Sequence, residues 1–338
     1  MESTSLVQLS ASNTTPRALT ADDFWEWRLQ VKLWIYISPV LVIAGIFFNT
    51  LTIIVLLRRK FGKPSTRILL IVLAVSDTVV LLTGLLRHWL IYTFRIDLRV
   101  LTNVSCPLHI FFTYFSRHYS SWSVPLLTVE RWISVTYPLK VNVICTRKWT
   151  RVVLVAISII LFTLNSHMFV FFKRNESMTC TYSSQAYRND FWLTVWFWLD
   201  FLAYSAMPFI VIVSCNCSIV YQIVARQNRR KELQTSGGEK TDIASAQVMS
   251  ITYMLTTVSV VFLLLTLPKS VSYIAYRQIR DTSPKWFYQK YLSWAVTNLL
   301  GYVNNMINFP LYCACGTQFR REVFALFRDW RRGENSRS

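Results

Sequence analysis

A chain of 338 residues in which 53% are hydrophobic and only 16% are charged is too apolar for an ordinary soluble domain, where about a quarter of the residues carry charge. With only 8 glycines and no sustained period-two alternation, it also lacks the pattern of a membrane β-barrel. The net charge of +19 is distributed between long apolar runs, which argues against a nucleic-acid partner and for a lipid bilayer.

Residues 1–32 read as a tail with no apolar core of the signal-peptide kind, so the first span is expected to direct its own insertion. A helix needs about 20 mostly apolar residues to cross about 30 Å of hydrocarbon. Seven stretches reach that length: 33–57, 68–93, 106–136, 152–172, 191–224, 249–276 and 286–314. They predict an all-α membrane protein, a seven-helix bundle over residues 33–314. Lysine and arginine gather in the connections 58–67, 140–151 and 226–242 and after residue 319, and are sparser in the tail and the alternate connections. Excess positive charge stays cytoplasmic, which puts the N-terminus outside. The sequons at Asn13, Asn103 and Asn175 then face the side where glycosylation occurs; a fourth, at Asn216, lies within a span and is expected to be silent. Of seven cysteines, Cys106 and Cys180 alone fall outside, where disulfides form. The other five, Cys145, Cys215, Cys217, Cys313 and Cys315, are expected as free thiols. Between spans five and six, residues 226–247 have the polar, Gly-Gly-containing composition of a linker. Over 315–330, Phe319, Val323, Phe324, Leu326 and Phe327 alternate with Arg320, Arg321 and Arg328, an amphipathic helix suited to an anionic leaflet. Residues 331–338 read as a further tail.

A charge inside a bilayer costs about 2.5–3.5 kcal/mol on insertion scales, so each one needs a reason. Glu130 and Arg131 lie about 37 Å beyond Cys106 at 1.5 Å per residue, at the cytoplasmic mouth of the third span. Adjacent opposite charges there satisfy each other while the helices are closed, and Arg131 can swing elsewhere when they spread. In isolation the pair would only mark the interface.

The pair is not isolated. Over roughly residues 30–330 the chain resembles a rhodopsin-like (class A) G-protein-coupled receptor. The Asp/Glu-Arg-Tyr motif matches Glu130, Arg131 and Trp132. Gly45 and Asn49 match the helix-one pattern, Leu73, Ala74 and Asp77 that of helix two, and Pro208 and Pro268 the prolines of helices five and six, with Phe262 before the latter. Asn308-Phe309-Pro310-Leu311-Tyr312 matches the helix-seven motif with its proline displaced by one. The resemblance implies that Tyr312 meets Arg131. It also implies that Asp77 is surrounded by Asn49, Ser120, Asn304 and Asn308, with Asp77, Ser120 and Asn304 holding a sodium ion; a dry hydrogen-bonded network that glues helices is the alternative. Some positions depart from the family. Thr266 replaces the helix-six tryptophan, Asn216 the helix-five tyrosine, and Val248 the helix-six acid that often pairs with the arginine. Helix four lacks its tryptophan, and Pro125 interrupts helix three.

In this family ligands bind in the outer half of the bundle, where Arg87, Arg117 and Lys269 face the single acid Asp200. Such a basic cavity suits a ligand carboxylate or acidic side chain, with Asp200 paired to Arg117 or Lys269. Thr113 replaces the aspartate that binds amines, and Tyr302 the lysine that carries retinal. The resemblance thus implies an extracellular peptide ligand, a heterotrimeric G-protein partner and the plasma membrane. The run 130–151 resembles invertebrate neuropeptide receptors of the FMRFamide-like kind. An acidic small molecule or lipid is the rival ligand. No nucleophile sits beside a base, so an enzyme is not expected. Neither an inverted repeat nor Gly-interrupted half-helices support a transporter or channel.

Overall fold

Each of the seven apolar stretches folds as a helix, and most run beyond the apolar stretch itself. In this computed structural model residues 21–58, 61–234, 243–278 and 283–335 are described. Helix α1 is Trp25–Leu57 and α2 is Pro64–Phe94, with a π-helical turn at Leu81–Leu85. Helix α3 is Ser105–Thr136 and α4 is Arg147–Asn165. Helix α5 joins Tyr187–Trp196, Phe197–Phe201, Leu202–Ala206 and Met207–Gln234, the first and third of these being π-helical. Helices α6 (Ile243–Gln278), α7 (Pro284–Cys315) and α8 (Thr317–Asn335) follow.

Local chemistry sets the ends. Pro64 and Pro284 open α2 and α7, where a missing N–H costs nothing. Thr146 and Ser283 cap α4 and α7 by accepting from the backbone N–H groups of Trp149 and Trp286. After α2 the chain turns at Arg95 with a left-handed φ of 61°. Arg320 of α8 donates to the carbonyls of Cys313 (3.0 Å) and Ala314 (2.8 Å), which the end of α7 leaves without helical partners. The amphipathic helix expected over 315–330 therefore starts after Gly316 and runs to Asn335. Helix α1 starts at Trp25, inside the segment read as a tail of residues 1–32, because Phe24 and Trp27 pack on Tyr288 of α7. Asn13 and residues 336–338 lie outside the described residues.

Among the described residues, five helices are long and apolar enough to cross a membrane by composition: α1, α2, α4, α5 and α6. Helices α3 and α7 fall short because they carry more polar groups, many of which point inward. Ser116, His118, Ser120, Glu130 and Arg131 are buried on α3, and Asn298, Asn304, Asn305 and Asn308 on α7. A polar residue inside a membrane is tolerated where it faces other helices. Helix α4 is the converse case, apolar and mostly outward, with Val155, Ile159 and Ile160 exposed. Packing in the half of the bundle next to α8 is continuous through Leu70, Leu127, Ile212, Met254, Tyr312 and Phe319.

At the other end, β1 (Phe172–Arg174) pairs antiparallel with β2 (Cys180–Tyr182), with Arg174 opposite Cys180. The Cys106–Cys180 disulfide, Cα–Cα 5.5 Å, ties this hairpin to the first turn of α3. Asn175 sits in the hairpin turn, its Oδ1 accepting from the Thr179 N–H at 2.8 Å. Asn103 is exposed beside α3 and accepts from Arg174.

Candidate functional site

A cavity of about 450 Å³ opens at the disulfide end. Arg87, Thr113, Arg117, Asp200, Lys269 and Tyr302, the residues singled out in the sequence, all line it. Their pairing differs from a simple excess of three cations over one acid. Arg87 is bound to Asp97, Nε to Oδ1 at 3.0 Å and Nη2 to Oδ2 at 3.1 Å. Arg99 binds the same carboxylate at 2.8 Å. Burial raises the Asp97 carboxyl, but the hydrogen bonds and charges of Arg87 and Arg99 outweigh it and hold the group well below the ordinary carboxylate range. Asp97 escaped sequence reasoning because it lies in the connection after α2, outside any span; its place between two arginines ten residues behind and two ahead was the available signal.

Deeper in the cavity, Arg117 pairs with Asp200 at 2.8 and 3.1 Å. Its guanidinium also lies over the rings of Tyr114 (4.5 Å) and Tyr204 (4.8 Å). The buried His118 brings Nε2 to 3.1 Å from Asp200 Oδ1 and is held on its other nitrogen by Asn165 at 3.3 Å. That leaves Lys269, whose ammonium lies 5.3 Å from the Tyr204 ring centre and forms no ion pair among the described residues. Two arginines on one aspartate, a neutral Arg117–Asp200 pair and Lys269 give the cavity a positive balance.

Below the cavity, Asp77 is fully buried. Its Oδ1 accepts from Ser120 Oγ at 2.5 Å and Asn305 Nδ2 at 2.7 Å, and its Oδ2 from Asn308 Nδ2 at 2.7 Å. Asn49 joins the set through the Asn305 carbonyl at 3.1 Å. The α7 amide that reaches Asp77 is thus Asn305, not Asn304. One residue is 100° of helix, and Asn304 instead lines a small cavity of about 40 Å³ with Ser120 and Phe262. A hard cation needs oxygen ligands. As the amides stand, Ser120, Asn305 and Asn308 all donate to the carboxylate, the arrangement of a hydrogen-bonded network between helices.

At the α8 end Glu130 and Arg131 are both buried. Their mutual contact is long, 3.5 Å. The short contacts go to α2: Glu130 Oε1 accepts from Ser65 and from Thr66 Oγ1 (2.9 Å), and Arg131 donates to Thr66. Tyr312, expected to meet Arg131, packs on Phe319 at 5.3 Å within the apolar core instead. Helix α6 contains no aspartate or glutamate. Where family residues are replaced, other contacts stand: Asn216 donates to Ser259 Oγ at 2.8 Å, and Thr266 to its own helix at Phe262 O, 2.7 Å. Trp132 reaches Ser218 of α5 at 2.9 Å.

The chain is similar in sequence to known proteins. The FMRFamide receptor of Drosophila melanogaster is 25% identical over 319 residues, 88% of this chain and 54% of that protein, so the chain spans about half its length. The sex peptide receptor of Drosophila melanogaster is 24% identical, covering 91% of this chain and 75% of the relative. The thyrotropin-releasing hormone receptor of Homo sapiens is 27% identical over 67% of this chain and 54% of the relative. Residues 48–312, from the middle of α1 to Tyr312, match the 7 transmembrane receptor (rhodopsin family). The chain belongs to that family of receptors, a family without enzymatic activity.

Proposed function

We propose that this receptor lies in the plasma membrane with its disulfide end outside and binds an extracellular peptide through an acidic side chain or a terminal carboxylate. Binding moves α6 outward and releases Arg131 to a heterotrimeric G protein. The observation that carries the ligand class is Lys269, a cation on the cavity wall with no ion pair among the described residues. A charge-assisted hydrogen bond contributes about 1.5–3 kcal/mol, so a carboxylate there would be recognised over its neutral analogue. The relatives named for peptides support a peptide as the bearer of that group. Arg131 is the only cation of α3 at the α8 end and is held by the Thr66 hydroxyl of α2 and by a long 3.5 Å contact to Glu130.

The test is a peptide-library screen on cells expressing the full chain, with calcium and cyclic AMP readouts. Active peptides should lose potency when their acid is amidated, and Lys269→Gln should erase that preference at unchanged surface expression. A potency indifferent to both changes overturns the ligand class. Arg131→Ala should abolish signalling without abolishing binding, and an N-terminal epitope should be stained on intact cells.

A further inference from the structure

Without a carboxylate on α6, Arg131 has no acid there to hold the helix in. Something else must oppose its outward movement. Among the described residues, hydrogen bonds cross from α5 to α6 at two levels. At the cavity, Ser205 Oγ lies 2.6 Å from Ser270 Oγ. About 16 Å further along α5, at 1.5 Å per residue, Asn216 Nδ2 donates to Ser259 Oγ at 2.8 Å.

We propose that these two contacts form a polar clasp that keeps α6 shut against α5, with its upper member open to the cavity and its lower member away from it, between a half-buried Asn216 and a buried Ser259. Ser205 sits in the π-helical turn Leu202–Ala206. That turn is anchored on α3, since Ser121 and Trp122 donate to the carbonyls of Tyr204 (2.5 Å) and Ala203 (2.9 Å). Helix α5 is therefore the fixed jaw. Ser270 also donates to Thr266 O at 3.2 Å, which leaves its oxygen to accept from Ser205. Both hydroxyls line the cavity beside Lys269, so an anionic group drawn to that ammonium competes for their protons. The lower contact has no such access: Ser259 is fully buried, and its hydroxyl is also bonded to Thr256 O at 2.8 Å. Polar contacts between helices are a main source of specificity in lipid, where apolar surface alone gives no preference for helix over lipid tail.

The clasp is tested without agonist or G protein, which separates its failure from that of the proposed ligand. In the full chain, with its free cysteines replaced by serine and the receptor in lipid nanodiscs, spin labels are placed by Tyr253→Cys on α6 and Val152→Cys on α4. Both positions are exposed, 52% and 48%. Label-to-label distances report the fraction with α6 displaced. Ser259→Ala and Asn216→Leu should each raise that fraction roughly two- to tenfold, the span of one net hydrogen bond, and Ser270→Ala should act in the same direction. Ser259→Thr, which keeps the hydroxyl, should stay at the unsubstituted value, as should Thr257→Ala, whose hydroxyl bonds within α6. Distances unchanged in both Ser259→Ala and Asn216→Leu overturn the clasp. So does a Ser259→Thr variant that opens as far as Ser259→Ala, which would make the effect one of packing rather than of the hydrogen bond.

Discussion

The two ends of the bundle handle charge in opposite ways. At the disulfide end, cations outnumber acids around an open cavity, and Lys269 is held by a ring face rather than by a carboxylate. At the α8 end, Glu130 and Arg131 are closed off and shared among hydroxyls of α2. The first arrangement leaves charge for an incoming ligand. The second, on the proposed function, holds charge until helices move. A single chain thus spends its few intramembrane charges on two different tasks, and substitutions at the two ends should separate them.

The largest effect belongs to the disulfide. A cross-link over a sequence separation of 74 contributes about 4 kcal/mol in the chain-entropy account. Replacing Cys106 and Cys180 together with serine should lower surface expression severely and leave the hairpin untethered, measured by cell-surface staining and proteolysis. Survival of normal surface levels would show that the hairpin is held by its aromatic packing alone.

Next is the pair of ends themselves. Thr66→Val removes a donor to Glu130 and an acceptor for Arg131 at once, a loss of about 1–3 kcal/mol. It should raise agonist-free signalling while leaving agonist affinity close to normal. Lys269→Gln should do the reverse, lowering affinity roughly tenfold or more with the basal level unchanged. Both are read by ligand-free and ligand-stimulated nucleotide exchange in membranes. If each substitution moved both quantities equally, the two ends would be one coupled unit rather than two tasks.

A similar contrast tests the centre. Asn305 donates to Asp77 and Ser120, whereas Asn304 does not reach them. Asn305→Ala should lower the melting temperature of the purified receptor distinctly more than Asn304→Ala. The sequence could not decide between these neighbours. Two consecutive asparagines differ only by a 100° rotation, and which one faces Asp77 depends on how α7 turns against α1 and α2. Other features were legible. Seven apolar runs mark the helices, Cys106 and Cys180 mark the pairing, and Arg87, Arg117, Asp200 and Lys269 stand out as charges in apolar surroundings. What stayed hidden shares one cause. Ser65, Thr66 and Asp97 are ordinary residues for a helix start or a loop, and only their partners, reached across the bundle or around a turn, give them a role.

Asp97 offers the smallest effect and the sharpest sign. Its carboxyl titrates below the ordinary value near 3.9, so the stabilisation from Arg87 and Arg99 is complete above that value and is lost as pH falls toward the folded-state value. Asp97→Asn should lower the melting temperature by a constant amount between pH 7 and pH 5, and the gap to the unsubstituted receptor should begin to narrow as the buffer is taken below about pH 4. The side chain is 22% exposed, so solvent screening keeps the gap modest. Because Arg87 and Arg99 would then face the cavity without their acid, the same variant should bind an acidic peptide at least as tightly as before. A gap that did not begin to narrow between about pH 4 and pH 3 would mean that Asp97 acts through loop packing, and the positive balance of the cavity would have to be assigned to Lys269 alone.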